Sequence, residues 1–495
     1  MLSLLIFLPV AVAAVLLLAR VPDRAALWAW LGTGLATVGL AVGMWTAYLR
    51  GDDPGRFGFE TQLPWIPGVG SSYHVGVDGL SLPLLALTAV VFTATAVYSL
   101  RERQRPRSYA ALFLALETTS LGLFAALDLI VFFVFFDLSI VGMYFVIAGW
   151  GHGEQRRRSA LLFFLYTFIG SLALLLGFIG LYVASDPHTF DIVRLSADPP
   201  LAGSGVAGPL VLAAIALGLA VKTPTVPFHS WLPPAHTDAP AAGSAVLAGI
   251  LLKMGTFGFV RIAMPLLPAQ WRTYAWGFVG VGVASVLYGA LVALAQDNFK
   301  RLIAFTSVNH MGYILLGLGA AGLVGDAHTR SVAVTGAVVQ MVSHGLITAA
   351  LFLLAGVLLD RGGSYDLNRY GGLAGPAPRF AAVTAVAAFA SLGLPGFSGF
   401  IAEFQILAGS LGPATPAAAV AALGIVLTAG LFLWALHRLF LGTPRTHAAV
   451  ADLSARELWA TVPLLAVSVV IGLYPQSLLG VLTPAADHLI ALVGR

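Results

Sequence analysis

Seven titratable side chains sit where a polar group is costly. Glu117, Asp137 in "FFVFFDLSIVGMYF", Lys222, Lys253 in "GILLKMGTFGF", His310 in "SVNHMGY", His344 in "MVSHGLI" and Glu403 in "FIAEFQIL" each interrupt a long apolar run. An ionised side chain at the centre of a bilayer costs at least about 2.5–3.5 kcal/mol on insertion scales, so each one needs a reason to be there. Carboxylates, amines and imidazoles all release and rebind protons. Together these residues read as a chain of proton sites.

Lysine usage supports that reading. Of 26 basic side chains only Lys222, Lys253 and Lys300 are lysine, and the rest are arginine. Lys222 and Lys253 lie inside apolar spans, whereas Lys300 reads with Arg301 as part of a basic loop. Arginine does not lose its proton in a protein, while a desolvated lysine does, so proton transfer is the expected role of Lys222 and Lys253. Asp137 is the expected counter-charge of Lys222: it favours the charged amine, and loosening that contact frees the proton to move on. The alternative is a static buried ion pair. His310 and His344 belong to the residue type that titrates near neutral pH and are read as relays, with hydrogen-bonded core positions as the other possibility. Glu403 is the expected exit site. Glu117 reads equally as a packing or a functional residue, and His229 and His236 as proton uptake or helix capping.

The elements that must position these groups follow from composition. The chain has 495 residues, 59% of them apolar and 10% charged, with a mean hydropathy of +0.91. Such values are outside the range of soluble domains, and runs long enough to cross about 30 Å of hydrocarbon recur throughout. The expected fold is all-α and polytopic, with about 14 transmembrane helices. The opening "MLSLLIFLPVAVAAVLLLAR" has no basic residue before its apolar core and reads as the first span rather than a signal peptide. Cysteine is absent, which excludes disulfides and cysteine-ligated iron–sulfur clusters. No phosphate-binding glycine loop is present, so no cofactor is expected in this chain.

Loop charges give the orientation. Arg20 and Arg24, "RERQRPR" at 101–107, "GEQRRR" at 153–158, Lys300 with Arg301, Arg361, Arg369 and Arg379, and Arg438, Arg445 and Arg456 follow odd-numbered spans. Asp52, Asp53, Glu60, Asp186, Asp191, Asp198 and Asp326 follow even-numbered ones. Basic loops face the cytoplasm, so both termini are expected on the other side of the cell membrane. The net charge of +4 is therefore a topology signal, and no nucleic-acid partner is expected.

Two spans carry helix breakers at membrane depth. Pro224 and Pro227 follow Lys222, and "SLGLPGFSGFIAEF" places Pro395 among Gly393, Gly396 and Gly399. Each run is expected to contain a non-helical stretch whose freed backbone groups are satisfied by protein or water. With spans 4–8 and 9–13 taken as two units of five, the broken helix, span 7 or 12, is fourth in each. An odd number of spans inverts the second unit, the arrangement of secondary transporters. The expected division is residues 1–107 (spans 1–3), 108–264 (first repeat), 265–441 (inverted second repeat) and 442–495 (last span and tail).

These stretches resemble a known family. "AVKTPTVPFHSWLPPAHTDAPAAGSAVLAGILLKMGTFGFVR", "DNFKRLIAFTSVNHMGYILLG", "SHGLITAALFLLAGVLLDR" and "SLGLPGFSGFIAEF" are similar to the antiporter-like subunits of respiratory complex I, over about residues 77–440. The resemblance implies a proton channel of two inverted five-helix units. In it Lys222 and Lys253 take the seventh- and eighth-span lysine positions, and His310 and His344 the polar linkers of the central axis. It also implies partners, the L- and N-type chains and smaller membrane subunits, with FMN and iron–sulfur clusters in other subunits. The twelfth-span residue is generally lysine in the L and N types and in multisubunit antiporters, and glutamate in the M type (mitochondrial subunit 4); Glu403 points to the M type. The family usually has glutamate in the fifth span, where this sequence has the shorter Asp137, so a water bridge or a shifted helix is expected between Asp137 and Lys222. A multisubunit cation/proton antiporter, a membrane-bound hydrogenase or a formate-oxidising complex is the alternative assembly.

Overall fold

A computed structural model describes residues 1–51, 57–203, 205–443 and 450–494. Asp52, Asp53 and Arg445, part of the loop-charge pattern, lie outside the described residues. Helices α1 (Leu2–Leu18) and α2 (Asp23–Tyr48) precede a hairpin of β1 (Gly58–Ile66) and β2 (Ser71–Val77). Then follow α3 (Leu82–Tyr98), α4 (Pro106–Ala125), α5 (Leu129–Trp150), α6 (Arg156–Ala184), the short α7 (Ile192–Ala197), α8 (Ala207–Lys222) and α9 (Leu232–Asp238). The second half holds α10 (Ala241–Leu266), α11 (Pro268–Leu294), α12 (Phe299–Gly322) and α13 (Ala327–Gly362). It closes with α14 (Pro378–Ser391), α15 (Ser398–Phe440), α16 (Ala455–Leu473) and α17 (Gln476–Val493).

The chain is all-α and polytopic, and among the described residues 12 helices are long and apolar enough to cross a membrane. Burial sorts them into two sets. The apolar windows of α10 and α12 are wholly buried and that of α13 is 94% buried, whereas α6, α11 and α15 bury only 39%, 39% and 33%. The outer helices present Ile169, Leu176 and Val426 to the surroundings, as helices facing lipid do, and α10, α12 and α13 form the axis inside them. Lys253, His310 and His344 all lie on those three axial helices.

Local sequence starts and stops these helices. The Asp128 carboxylate accepts from the Ile130 and Val131 amides to cap α5, Asn298 caps α12 through the Arg301 amide at 3.0 Å, and Asp326 caps α13 through Thr329 at 2.9 Å. The spans expected to end near 411 and to start near 416 are the two arms of α15, which Ala414, between Pro413 and Pro416, divides by leaving helical geometry. The last segment is two helices instead of one span and a tail. Tyr474, which precedes Pro475, takes φ −130° and ends α16, and α17 restarts from the proline.

The hairpin is an element that loop charge alone does not reveal. It is tied to the rest by side chains: the Ser71 hydroxyl and the Ser72 amide donate to Asp128 at 3.0 and 3.1 Å. His74 lies 2.9 Å from Asp191 and 2.7 Å from Glu60. Burial pulls the His74 imidazole down, but the hydrogen bonds and charges of Asp191 and Glu60 outweigh it and hold it above its ordinary value.

Candidate functional site

The first break falls where the prolines place it. α8 ends at Lys222, and helix resumes only at Leu232. Its backbone groups find partners inside the protein: the Trp231 indole donates to the Val221 carbonyl at 2.9 Å, and the Val226 amide donates to Ser285 Oγ at 3.0 Å. Lys222 is 1% exposed. Its ammonium donates to Ser139 Oγ of α5 at 3.0 Å and lies 4.8 Å from the centre of the Phe136 ring, a cation–π distance.

Asp137 is on the same turn as Ser139 and makes no direct salt bridge with Lys222. It lies near Ser171 of α6 and interacts with Lys222 only at electrostatic range, while its Oδ1 has no hydrogen-bond partner. The serine two residues on stands against the amine instead.

The second break is built by glycine. Helix stops at Ser391 and restarts at Ser398. Gly393 (φ +77°) and Gly396 (φ +99°) hold left-handed backbone between them. A Cβ on Gly393 would stand 2.6 Å from Glu403 Oε2, so the glycine makes room for the carboxylate. The break also frees the Ser391 carbonyl, which accepts from His310 Nε2 at 3.2 Å. A carbonyl only accepts, so Nε2 carries the hydrogen and Nδ1, which has no partner, carries the lone pair in the neutral ring.

Around this carbonyl four titratable residues from four helices meet. Lys253 of α10 donates to His344 Nδ1 of α13 at 2.6 Å and to the Ala248 carbonyl at 2.5 Å. The His344 and His310 rings meet edge to face with centres 5.4 Å apart. His310 Nε2 lies 3.7 Å from Glu403 Oε1 of α15. All four are at most 4% exposed. A cavity of about 10 Å³, lined by His310, His344, Gln340, Ser391 and Glu403, lies among them. That is close to the least room one water needs, and with polar groups on several sides it suits one bridging water. Lys253 itself lies between two π-helical turns, Leu247–Leu251 and Phe259–Ala263. Such turns are rare, and frequent at functional sites.

The structure thus brings Lys253, His310, His344 and Glu403 into one array and leaves Lys222 with Asp137 in a second group. Glu117 stands apart: it accepts from the Thr37 hydroxyl at 2.8 Å, and its other oxygen has no partner. His229 packs against Tyr288, and His236 stacks on Phe352 with ring centres 4.5 Å apart. Residues not singled out from sequence also take part. Ser139 is the direct partner of Lys222. Ser398 Oγ donates to Ser343 Oγ at 2.8 Å and lies 2.7 Å from Ser468 Oγ, linking α15 to α13 and α16 beside the cavity. Lys300, read from sequence as a loop residue, is fully buried. The scarcity of lysine is the available signal for it.

The profile of the family described as "NADH:quinone oxidoreductase/Mrp antiporter, TM" matches residues 126–429, which contain both groups. The chain belongs to this family. It is 36% identical to the NADH-quinone oxidoreductase subunit M of Rhodobacter capsulatus, over 99% of this chain and 96% of that one. It is also 36% identical to the F(420)H(2) dehydrogenase subunit M of Methanosarcina mazei, over 99% of this chain and 98% of that one. A chain in the structure of respiratory complex I from Thermus thermophilus with bound NADH superposes with a TM-score of 0.90 and 32% identity, covering 100% of both.

Proposed function

We propose that this chain is a proton-translocating subunit of M type in the membrane arm of an NADH:quinone oxidoreductase. The observation that carries the reading is the buried array Lys253–His344–His310–Glu403, which runs from the central axis to α15. In it a proton taken by the Lys253 amine passes through the two imidazoles, with one water completing the wider gap, to the Glu403 carboxylate. Each transfer breaks one N–H or O–H bond and forms another. The chain carries no redox step. NADH oxidation and quinone reduction belong to partner subunits that hold FMN and iron–sulfur clusters, and the L- and N-type chains are its membrane-arm neighbours.

Lys222, with Ser139 and Asp137, is the site at which the state of the neighbouring subunits is felt. Moving the ammonium toward or away from Asp137 changes the field at the axis. The division into two inverted units, 108–264 and 265–441, follows from the two broken helices. The multi-pass chain lies in a bacterial cell membrane with both termini outside, a reading that its arginine-rich loops support. Exchange of Lys253 for Met in the assembled complex tests the reading. NADH-driven proton uptake into vesicles is expected to be lost while the complex still assembles, and unchanged proton-to-electron stoichiometry would overturn it.

The equal identity to the F(420)H(2) dehydrogenase relative favours a second reading, in which the same pump serves another electron donor. Mass spectrometry of the co-purified complex decides: an NADH-oxidising, FMN-binding subunit supports the first reading, and its replacement by a different donor-oxidising subunit supports the second.

A further inference from the structure

Lys300 and His236 are buried titratable groups that the array above does not use. Lys300 is the second residue of α12, is 0% exposed, and donates to the Ala239 carbonyl at 2.5 Å. Its ammonium stands 5.2 Å from the centre of the Tyr365 ring. Ala239 follows the end of α9, and three residues earlier on that helix is His236, also 0% exposed. Neither ring nitrogen of His236 has a hydrogen-bond partner. A buried imidazole with both nitrogens unsatisfied is unusual and needs an explanation. Lys300, Lys253 and His344 all lie within electrostatic range of His236.

Outside Lys300 is a cavity of about 270 Å³ at the arginine-rich end of the molecule. Its lining includes Glu102, His152, Asp360, Tyr365 and Arg456, and it also reaches Pro240 and Ala241, next to the carbonyl that Lys300 holds. The loop bearing His152 is fastened to this corner, since the His152 amide donates to the Asp238 carbonyl at 2.7 Å. Tyr365 is the wall shared by cavity and lysine, and its hydroxyl has no partner. Burial first, and the Lys300 charge second, hold the His152 imidazole below its ordinary value, which favours its neutral form.

We propose that this cavity is the water-filled proton inlet on the arginine-rich side, and that Lys300 and His236 carry protons from it to Lys253. The proposal rests on the proton-translocating reading and adds its uptake route. A proton delivered by water at Tyr365 and Asp360 joins the Lys300 amine. Lys300 then passes a proton to one His236 nitrogen as the other nitrogen gives one toward Lys253. Every hand-over breaks one bond to hydrogen and forms one, and no oxidant or reductant is consumed.

A purely structural Lys300 and His236 give a different expectation. His236→Phe keeps the stack on Phe352 and deletes nitrogens that bond to nothing, so a structural role predicts unchanged pumping. Lys300→Arg keeps the cation but fixes its proton. The test uses the purified complex, with each variant chain in place, reconstituted into liposomes, with electron transfer and proton uptake followed in the same vesicles. Protons pumped per electron are expected to fall by at least about tenfold in His236→Phe and in Lys300→Arg. If Lys300→Arg does not assemble, His236→Phe decides alone. Pumping by His236→Phe within about twofold of the unaltered complex, in a preparation where Lys253→Met has lost it, overturns the inlet and leaves the proposed function standing. Normal pumping by Lys253→Met overturns the proposed function itself.

Discussion

The Lys222 ammonium is held by the Ser139 hydroxyl at 3.0 Å, while Asp137, on the same turn of α5, reaches it only at electrostatic range. A buried cation bound by a hydroxyl and an aromatic face keeps its carboxylate in reserve.

This division of labour predicts graded effects in one small group. Lys222→Ala removes the cation and is expected to abolish pumping with assembly retained. Ser139→Ala removes a hydrogen bond to a charged donor, worth roughly 1.5–3 kcal/mol, and is expected to slow coupled turnover by about tenfold or more. Measured NADH-driven proton uptake at the unaltered rate in Ser139→Ala would show that the hydroxyl only fills space.

Gly393 is expected to tolerate no side chain. A methyl there meets Glu403 Oε2 at 2.6 Å and sits on backbone with φ +77°. Gly393→Ala should cost about 1–3 kcal/mol and turn Glu403 away from His310, so both thermal stability and pumping fall. Gly430→Ala, in the same helix α15 with nothing within 4 Å of the added atom, is the control. Equal behaviour of the two variants would refute the steric argument.

The hairpin should loosen as pH rises. His74 is held above its ordinary 6.5 by Asp191 and Glu60 against the opposing effect of burial. A raised folded value means that the stabilisation is fully present below about pH 6.5 and is lost as pH climbs through the folded value. Amide hydrogen exchange of residues 71–77, corrected for its intrinsic pH dependence, is expected to show less protection at about pH 9 than at about pH 5.5. His74→Gln should abolish that difference, and protection that is flat in the unaltered protein would exclude the clasp.

Much of the fold is legible in the sequence because its causes are local. Hydropathy over some twenty residues is a property of the chain alone, and it is enough for most spans, the polytopic class and the buried positions of Lys222, Lys253, His310, His344 and Glu403. Pro224, Pro227, Pro395 and Gly393 act on their own backbone, so both breaks fall where these residues stand.

What only the tertiary structure decides is which of these groups touch. Lys253, His344, His310 and Glu403 come from four helices far apart in sequence, and their alignment depends on how α10, α12, α13 and α15 cross. Asp137 is legible as a carboxylate within an apolar span, but its distance from Lys222 depends on how their helices pack. Lys300 escapes the sequence for a related reason. It stands at a helix start beside Arg301, and sequence position alone makes that a loop residue. The α9–α10 junction folds over it and turns a surface lysine into a buried one. Hydropathy is read along the chain, whereas a proton path runs across it, and packing between helices sets the spacing of its steps.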